Sequence, residues 1–337
     1  MKIENGQRKV TQANGQPRYI GVVLVVATAD PERGVKAMDQ LYQEGVVNRL
    51  LMVNGWGRVE GSPKDELLRE WARGGKPPDD FRGVIGHPEF KGVVPAYFMA
   101  MRWLAEHGWA STPRGELVWA LIHDDVEVYD KDWAMQVLKL MNREWPTGRE
   151  CALLGFGGGL GVGETGMFTN HQEPHEGETD AERHARAMTL ARHDFRSNMR
   201  DAEAHGRRTT KPQRVAVLDG FSLIGDPAFL LYTWQLMAEA GIVHHAYDTL
   251  LGILANAAGK QVWLLPASCH HQGGQTAVAN QEYQAWAREQ VEGGDQGFWL
   301  AAHDAAWLMA KECQEKLAEA GKPFLPLHVR GLDVDRG

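Results

Sequence analysis

Short apolar runs rich in β-branched residues alternate with longer amphipathic stretches through the first half of this 337-residue chain. The amphipathic stretches at 32–44, 64–73 and 93–107 each lie between Pro or Gly residues, which mark the ends of helices. The alternation predicts an α/β fold, with an open, mainly parallel sheet covered by helices on both faces. The runs expected to form its strands are 19–27, 49–53, 81–85 and 117–122.

The second half of the chain continues this pattern with longer interruptions. An apolar run at 151–156 enters a glycine-rich stretch, and a polar segment follows that has helical character from about 180 to 204. Because long loops in compact domains are usually functional, we expect a loop over 157–213 to border a binding site. Further strands are expected at 214–224 and 261–265, helices at 227–240 and 247–258, and a helical tail after 277.

Composition narrows the class of protein. Apolar residues make up 43% of the chain and charged residues 24%, as in ordinary soluble globular proteins. No apolar run approaches the roughly 20 residues that span a bilayer, and the first residues lack the apolar core of a signal peptide. The net charge of -8 argues against general coating of nucleic acid. Cys151, Cys269 and Cys313 form no CxxC pair, so we expect reduced thiols in a cytoplasmic protein without stable membrane insertion.

Carboxylates cluster directly after the apolar run 117–122, where the chain reads HDDVEVYD. In open α/β sheets, ligands bind beyond the carboxyl ends of the strands. Asp124 and Asp125, preceded by His123, are therefore well placed to hold a hard divalent cation that bridges to a substrate diphosphate. The competing interpretation is that these carboxylates cap a helix or face solvent, and the cluster alone does not decide between the two.

The longer stretch LVWALIHDDVEVYDKDW resembles the strand and metal-binding turn of glycosyltransferases with a GT-A fold, especially glycosyltransferase family 2. The resemblance implies a nucleotide-diphospho-sugar transferase fold, which is a Rossmann-like mixed sheet flanked by helices. His123 stands where the family often has the first Asp or an Asn of its DxD motif, and Asp125 stands at the last acidic position. The resemblance therefore implies Asp125 as the main ligand of a Mn or Mg ion, with His123 as a further ligand and Asp124 as a donor contact.

Two later segments resemble the acceptor side of the same family. VLDGFSL resembles the acceptor-side strand and turn, which implies acceptor contacts for Asp219 and Gly220. HHAYDTL resembles the segment that supplies the general base at the start of a helix, and Asp248 is the matching carboxylate. An acceptor hydroxyl must lose a proton as it attacks the anomeric carbon, and a carboxylate within hydrogen-bond reach can take that proton. Helix capping by Asp248 and a turn role for Asp219 are the structural alternatives.

Two more resemblances concern the metal and the donor. HHQGGQT resembles the family's late glycine-rich turn, which implies His271 as a metal ligand or diphosphate contact. A zinc site is a poor alternative, because no second ligand pair has zinc-finger spacing. The turn after the first strand resembles the place where the family holds the base and ribose, which implies donor contacts for Ala27, Thr28 and Asp30. Asn54 stands where the family's second strand ends in Asp, and the expected donor is a UDP-sugar.

Two remaining patterns have less specific interpretations. The stretch at 161–166 fits GxGxxG, but it opens no helical pattern, so we interpret it as a loop and not as a dinucleotide fingerprint. Seven arginines lie between 183 and 208, where they would grip phosphates or form a charged helix face with local ion pairs. From this segment we select Arg207 and Arg208 as candidate acceptor contacts.

The combined prediction is a GT-A catalytic domain over 1–276, with a nucleotide-sugar-binding half at 19–125, an acceptor half at 126–276 and a helical extension at 277–337. We expect a metal-dependent, inverting glycosyltransferase that acts on an acceptor hydroxyl of a glycan or small molecule, or on a 5-hydroxymethylpyrimidine in DNA. One alternative is a nucleotidyltransferase, although ATADPERG is a poor version of that signature. The other is a noncatalytic module that binds carbohydrate or nucleic acid.

Overall fold

The described residues form two compact units. The computed structural model describes residues 18–55, 81–87, 89, 92–112, 115–144, 151–160, 177–179, 182, 195–200, 206–239, 242–243, 247–257 and 260–273. The first unit contains the described residues of 1–124, 131–152 and 224–243, and the second contains those of 125–130, 153–223 and 244–337. This division differs from the predicted halves 19–125 and 126–276, because two later segments belong with the first strands. The predicted helix at 64–73 and the tail after 277 lie outside the described residues.

The protein is a mixed α/β structure in which a large mixed sheet is flanked by helices. The described helices are α1 (Pro31–Leu41), α2 (Val93–Glu106), α3 (Trp133–Glu144), α4 (Pro227–Glu239) and α5 (Tyr247–Ala257). The strands are β1 (Tyr19–Thr28), β2 (Val47–Asn54), β3 (Phe81–His87), β4 (Ser111–Thr112), β5 (Gly115–His123), β6 (Val126–Val128), β7 (Cys151–Gly155), β8 (Gly157–Gly159), β9 (Phe195–Ser197), β10 (Arg207–Arg208), β11 (Gln213–Val215), β12 (Val217–Leu218), β13 (Ser222–Gly225), β14 (Gln261–Leu264) and β15 (Cys269–His271). Among the described helices, none is long and apolar enough to cross a membrane.

In the first unit, β5, β1, β2 and β3 lie side by side in that order and run parallel. Residues 22–26 of β1 are completely buried. A parallel strand that is covered on both faces needs a continuous apolar run, which this segment supplies. The four strands predicted in this half are therefore confirmed. The register places Ala27 opposite His123, so β1 and β5 present their carboxyl ends side by side.

Helix α1 begins directly after β1, and its sequence fixes where it starts. The carboxylate of Asp30 accepts hydrogen bonds from the backbone N–H groups of Glu32 at 3.2 Å and Arg33 at 3.4 Å, as a helix N-cap does. Gly34 lets the helix approach β1 closely, because a Cβ at this position would lie 2.6 Å from Cγ2 of Thr28. The first turn of α1 is thus held against the carboxyl end of β1.

A polar cluster fixes the opposite end of β1. Arg18 donates to Glu116 at 2.6 Å and to Asp226 at 3.2 Å, and the Tyr19 hydroxyl donates to the same Asp226 oxygen at 2.9 Å. Burial and the charge of Asp226 raise the pKa of Tyr19, so its hydroxyl remains a neutral donor. The second oxygen of Asp226 accepts the Phe229 N–H at 3.0 Å and caps α4. The cluster therefore joins β1, β5 and α4 within the first unit.

In the second unit, four short strands form a sheet in the order β10-β9-β8-β12. Separately, β6 pairs antiparallel with β15, and β11 pairs antiparallel with β14. The segment predicted as a loop over 157–213 therefore contains strands β8, β9 and β10 in its described part. The helical character expected from about 180 to 204 is wrong at Phe195–Ser197, which forms β9.

The glycines that suggested a loop are what allow these strands to pack. A Cβ at Gly158 would lie 2.5 Å from the backbone oxygen of Val217, so only glycine permits this approach of β8 to β12. A Cβ at Gly157 would lie 2.8 Å from atoms of both the Phe195 and the Phe221 ring. The aromatic rings occupy the space that side chains on β8 would take, and the glycine run is a strand for that reason.

Candidate functional site

The pairing of β6 with β15 brings Asp125 and His271 together. The antiparallel register sets His271 opposite Val126, and the Gln272 N–H donates to the Asp125 backbone oxygen at 3.1 Å. Nε2 of His271 lies 3.4 Å from Oδ1 of Asp125, with side-chain exposures of 20% and 7%. Gly273 ends this turn with a φ of +64°, a conformation that favours glycine. Two residues predicted to bind a metal are thus neighbours, although they are 146 positions apart in the chain.

The imidazole of His271 is held by an aromatic contact. Its ring stacks on the ring of Phe221 with centroids 4.7 Å apart and an interplanar angle of 26°. Phe221 is completely buried, so its position is fixed by the packing around it. A fixed ring restricts the rotation of the imidazole, and this orients Nε2 towards Asp125.

The carboxylate of Asp248 is held by two backbone N–H groups. Asp248 is the second residue of α5, and its Oδ1 accepts the Thr249 N–H at 2.7 Å. Its Oδ2 accepts the Gly220 N–H at 3.0 Å, and Gly220 is 28 positions away. The first contact is local to the start of the helix, as the capping interpretation predicts. The second contact ties the carboxylate to the turn that follows β12, which capping does not explain.

The pKa of Asp248 is displaced. Burial, and then the negative charge of Asp219, raise it from 3.8 to about 6, against the opposing effect of the hydrogen bonds from Thr249 and Gly220. A carboxylate with a pKa in this range is a stronger base than an exposed one and is still ionised at neutral pH. The environment of Asp248 therefore suits transfer of a proton.

Within the second unit, a single turn connects Asp248 with the Asp125–His271 pair. Gly220 donates to Asp248, and the adjacent Phe221 carries the ring that stacks on His271. His271 in turn contacts Asp125. Gly220 cannot be replaced without a shift, because a Cβ there would lie 2.7 Å from Cζ of Tyr247. The carboxylate suited to proton transfer and the Asp125–His271 pair are thus joined through neighbouring residues.

A second polar cluster lies in the first unit, where β1 and β5 end. One oxygen of Asp124 accepts the Thr28 hydroxyl at 2.5 Å and contacts Nη2 of Arg33 at 2.8 Å. The Thr28 hydroxyl oxygen also accepts the Asp30 N–H at 2.9 Å. Three predicted donor contacts, namely Thr28, Asp30 and Asp124, therefore belong to one network joined by the Thr28 hydroxyl, and Arg33 extends this network through Asp124.

The other predicted donor and metal residues are placed individually. Ala27 is partly exposed at the end of β1. Asn54 is 5% exposed, and its Nδ2 donates to the Gly92 backbone oxygen at 3.1 Å, so its amide holds the residue before α2. His123 is the last residue of β5 and is partly exposed, two positions before Asp125.

The two candidate acceptor arginines are exposed. Arg207 and Arg208 form β10, which pairs in parallel with β9 so that Arg207 lies opposite Arg196. Nε of Arg208 donates to Oδ1 of Asn198 at 2.9 Å. Asp219, the other predicted acceptor contact, accepts the Phe221 N–H at 3.3 Å through its side chain, as its turn interpretation predicts.

Sequence reasoning missed Arg33 and Phe221. Arg33 follows a helix start and carries no motif, although its place in the first turn after β1 is a signal that was available. Phe221 looks like an ordinary core residue, and only the fold shows that its ring meets an imidazole. The residues at 161–166 and at 244–246 lie outside the described residues.

The chain was compared with models of protein families and with curated proteins. No model of a known protein family matches the chain. No curated protein matches it either. The geometry of the site is therefore the basis for the proposed function.

Proposed function

We propose that this protein is a metal-dependent, inverting glycosyltransferase with a GT-A fold that transfers a sugar from a nucleoside-diphosphate sugar, with UDP-sugar as the expected donor, to an acceptor hydroxyl. The observation that carries the proposal is the turn at Gly220 and Phe221. Through it, the Asp125–His271 pair adjoins a carboxylate whose pKa is raised to about 6. A cation site that stabilises the leaving diphosphate and a base that takes the acceptor proton together suit displacement at an anomeric carbon.

The residues fit a divalent cation. Oδ1 of Asp125 and Nε2 of His271 are 3.4 Å apart, and one cation with bonds of about 2.0–2.2 Å to each atom fits between them with little movement. His123 offers a second imidazole and completes the candidate set. When bound, the cation would stabilise negative charge on the leaving diphosphate. Because two imidazoles and one carboxylate also suit Fe and Zn, the test must compare these metals with Mn and Mg.

The proposed reaction is a single displacement. Asp248 accepts the proton of the acceptor hydroxyl while the hydroxyl oxygen forms a bond to the anomeric carbon. The bond between that carbon and the diphosphate oxygen breaks, and the nucleoside diphosphate departs with the bonding electrons. The Gly220 N–H donates to Oδ2 of Asp248, and the Thr249 N–H at the start of α5 donates to Oδ1. These two hydrogen bonds fix the orientation of the carboxylate. Positioning of the two reactants supplies much of the remaining acceleration.

The Thr28–Arg33–Asp124 network supports a donor site. It lies where β1 and β5 end, which is where ligands bind in open α/β sheets. The first turn of α1 adds a partial positive charge at the same place, which favours a phosphate. The first unit is therefore assigned to donor binding.

A hydroxymethylated pyrimidine in DNA is a second candidate acceptor. The exposed Arg207 and Arg208 favour it, because arginines on an accessible strand suit contacts to a phosphate backbone. A glycan or small-molecule acceptor does not need these two charges.

The test is a transfer and hydrolysis assay with a panel of sugar nucleotides, read by mass spectrometry, with Mn, Mg, Fe or Zn added to the metal-free chain. The proposal expects release of a nucleoside diphosphate that depends on one of these metals and on Asp248. Asp132→Asn is the matched control, because Asp132 is an exposed carboxylate that accepts the side-chain amide of Gln136 at 2.8 Å. Absence of turnover with every donor would favour a noncatalytic binding protein, and release of pyrophosphate would favour a nucleotidyltransferase.

A further inference from the structure

Arg33 is the one residue of the first-unit network that has an unmet hydrogen-bonding requirement. Its Nη2 contacts Asp124 at 2.8 Å, and its side chain is 28% exposed. Its Nε is buried and has no hydrogen-bond partner among the described residues. A buried donor without a partner is costly, and such a group in a native structure calls for an explanation.

The contact with Asp124 does not use the geometry that a guanidinium favours. A guanidinium has five N–H donors, and its strongest contacts are bidentate, with two parallel hydrogen bonds to one carboxylate or phosphate. In the present pose, the Asp124 oxygen that Arg33 contacts also accepts the Thr28 hydroxyl. Arg33 therefore gains only part of its available hydrogen bonding, and a small rotation towards an anion would satisfy Nε as well.

The surroundings of Arg33 favour a phosphate as that anion. Arg33 lies in the first turn of α1, where the helix dipole favours negative charge. Oδ1 of Asp30 accepts the N–H groups of Glu32 and Arg33, so this oxygen caps the start of the helix. Guanidinium groups are the usual choice for bidentate recognition of phosphate.

We propose that Arg33 binds the diphosphate of the donor, with its guanidinium moving from Asp124 to the phosphate oxygens when the donor binds. The inference rests on the proposed function in that it names the part of the donor that this residue recognises. Arg33 is a binding residue in this account, and the chemical class of ligand is a nucleoside diphosphate. Before the donor binds, the ion pair with Asp124 keeps the Arg33 guanidinium at the site.

Titration calorimetry on the full chain tests this with three ligands: UDP, uridine and inorganic pyrophosphate, each with and without Mn. Arg33→Ala is expected to weaken binding of UDP and pyrophosphate about tenfold and binding of uridine less than twofold. Arg33→Lys should fall between wild type and Arg33→Ala, since lysine keeps the charge and loses the fork. Arg102→Ala is the matched control, because Arg102 is an exposed arginine of the first unit that pairs with Glu106 at 3.3 Å.

The outcomes separate this inference from the proposed function. Unchanged binding of pyrophosphate and UDP by Arg33→Ala overturns it, as does failure of the wild-type chain to bind either ligand. Equal weakening of all three ligands, together with a lower melting temperature, assigns Arg33 a structural role and also overturns it. If no sugar nucleotide is turned over but pyrophosphate binding still depends on Arg33, the proposed function fails and the inference about Arg33 stands.

Discussion

The two polar clusters differ in what their carboxylates face. In the first unit, Asp124 faces a guanidinium and a hydroxyl, which hold it in one geometry. In the second unit, Asp248 lies near a second carboxylate, that of Asp219, and burial with this like charge raises its pKa to about 6. The first arrangement suits binding, and the second suits a change of protonation state. Under the proposed function, the first cluster would bind the donor and the second would transfer the proton.

The largest effect is expected from Asp248→Asn. An amide cannot accept the acceptor proton, so transfer should fall about 10²- to 10⁴-fold, the usual contribution of a general base. Metal affinity should stay at the wild-type value, because Asp248 is not in the candidate ligand set. Steady-state kinetics and metal titration measure the two quantities, with Asp132→Asn as control. Activity within threefold of wild type would remove Asp248 from the chemistry.

The same substitution should remove a pH dependence of stability. The pKa of Asp248 in the folded state lies above its unfolded value of 3.8, so its contribution to stability is full below about pH 4 and is lost as the pH rises through about 6. At about 1.36 kcal/mol per pKa unit, the free energy of unfolding of the wild type should fall by up to about 3 kcal/mol relative to that of Asp248→Asn as the pH rises across this window. Urea denaturation on both sides of the window checks this, and a pH-independent difference would contradict it.

Loss of a metal ligand should lower metal affinity without touching the base. His271→Ala removes Nε2 from its place beside Asp125, and we expect affinity for the activating metal to fall by at least about 10- to 100-fold, the range known for partners one shell farther out. His270→Ala is a matched control one position away, on the residue opposite Glu127. Equal metal affinity in the two variants would refute the ligand role of His271.

Gly220→Ala tests whether the turn at Gly220 and Phe221 connects Asp248 with the Asp125–His271 pair. The new Cβ would overlap the Tyr247 ring and displace the turn that holds Asp248 and Phe221. We expect a destabilisation of about 1–3 kcal/mol, the usual cost of overpacking, together with a loss of transfer of about tenfold. Tyr247→Leu removes the ring atoms that the Cβ would overlap, so the double variant should recover part of the activity. No recovery would mean that the turn does not act through this contact.

The smallest effect is expected from replacing the exposed arginines. The Arg207→Ala, Arg208→Ala double variant should lower transfer by about threefold to tenfold and leave donor hydrolysis unchanged, since surface contacts of this kind are weak individually. Lys211→Ala provides an exposed cation in the same stretch as the control. Equal losses in transfer and hydrolysis would count against an acceptor role for β10.

The sequence predicted the parallel half of the fold well, because continuous apolar runs such as 22–26 leave few alternatives. It failed at β8, where glycines that resemble a loop allow close contact with Val217 and Phe195, and at β9, where the sequence has helical character. Strand patterns are read from the side chains that are present, whereas β8 packs closely because its glycines have none.

The candidate site could be predicted only in part for a similar reason. Local motifs predict Asp125 and Asp248 as site residues, and their roles stay predictions. The contact of His271 with Asp125 depends on β6 pairing with β15, a register that no local pattern specifies. Arg33 and Phe221 carry no motif, and only the three-dimensional contacts make them candidates.

The most direct test of the central claim is the pH dependence of kcat/KM for metal-activated sugar transfer, which reports the pKa of the free protein, measured for the wild-type chain and for Asp248→Asn. We expect kcat/KM of the wild type to rise with pH through a pKa of about 6, as Asp248 loses its proton, and the residual activity of the variant to lack this rise. Turnover that needs no metal, or the same inflection near pH 6 in the variant, would contradict it.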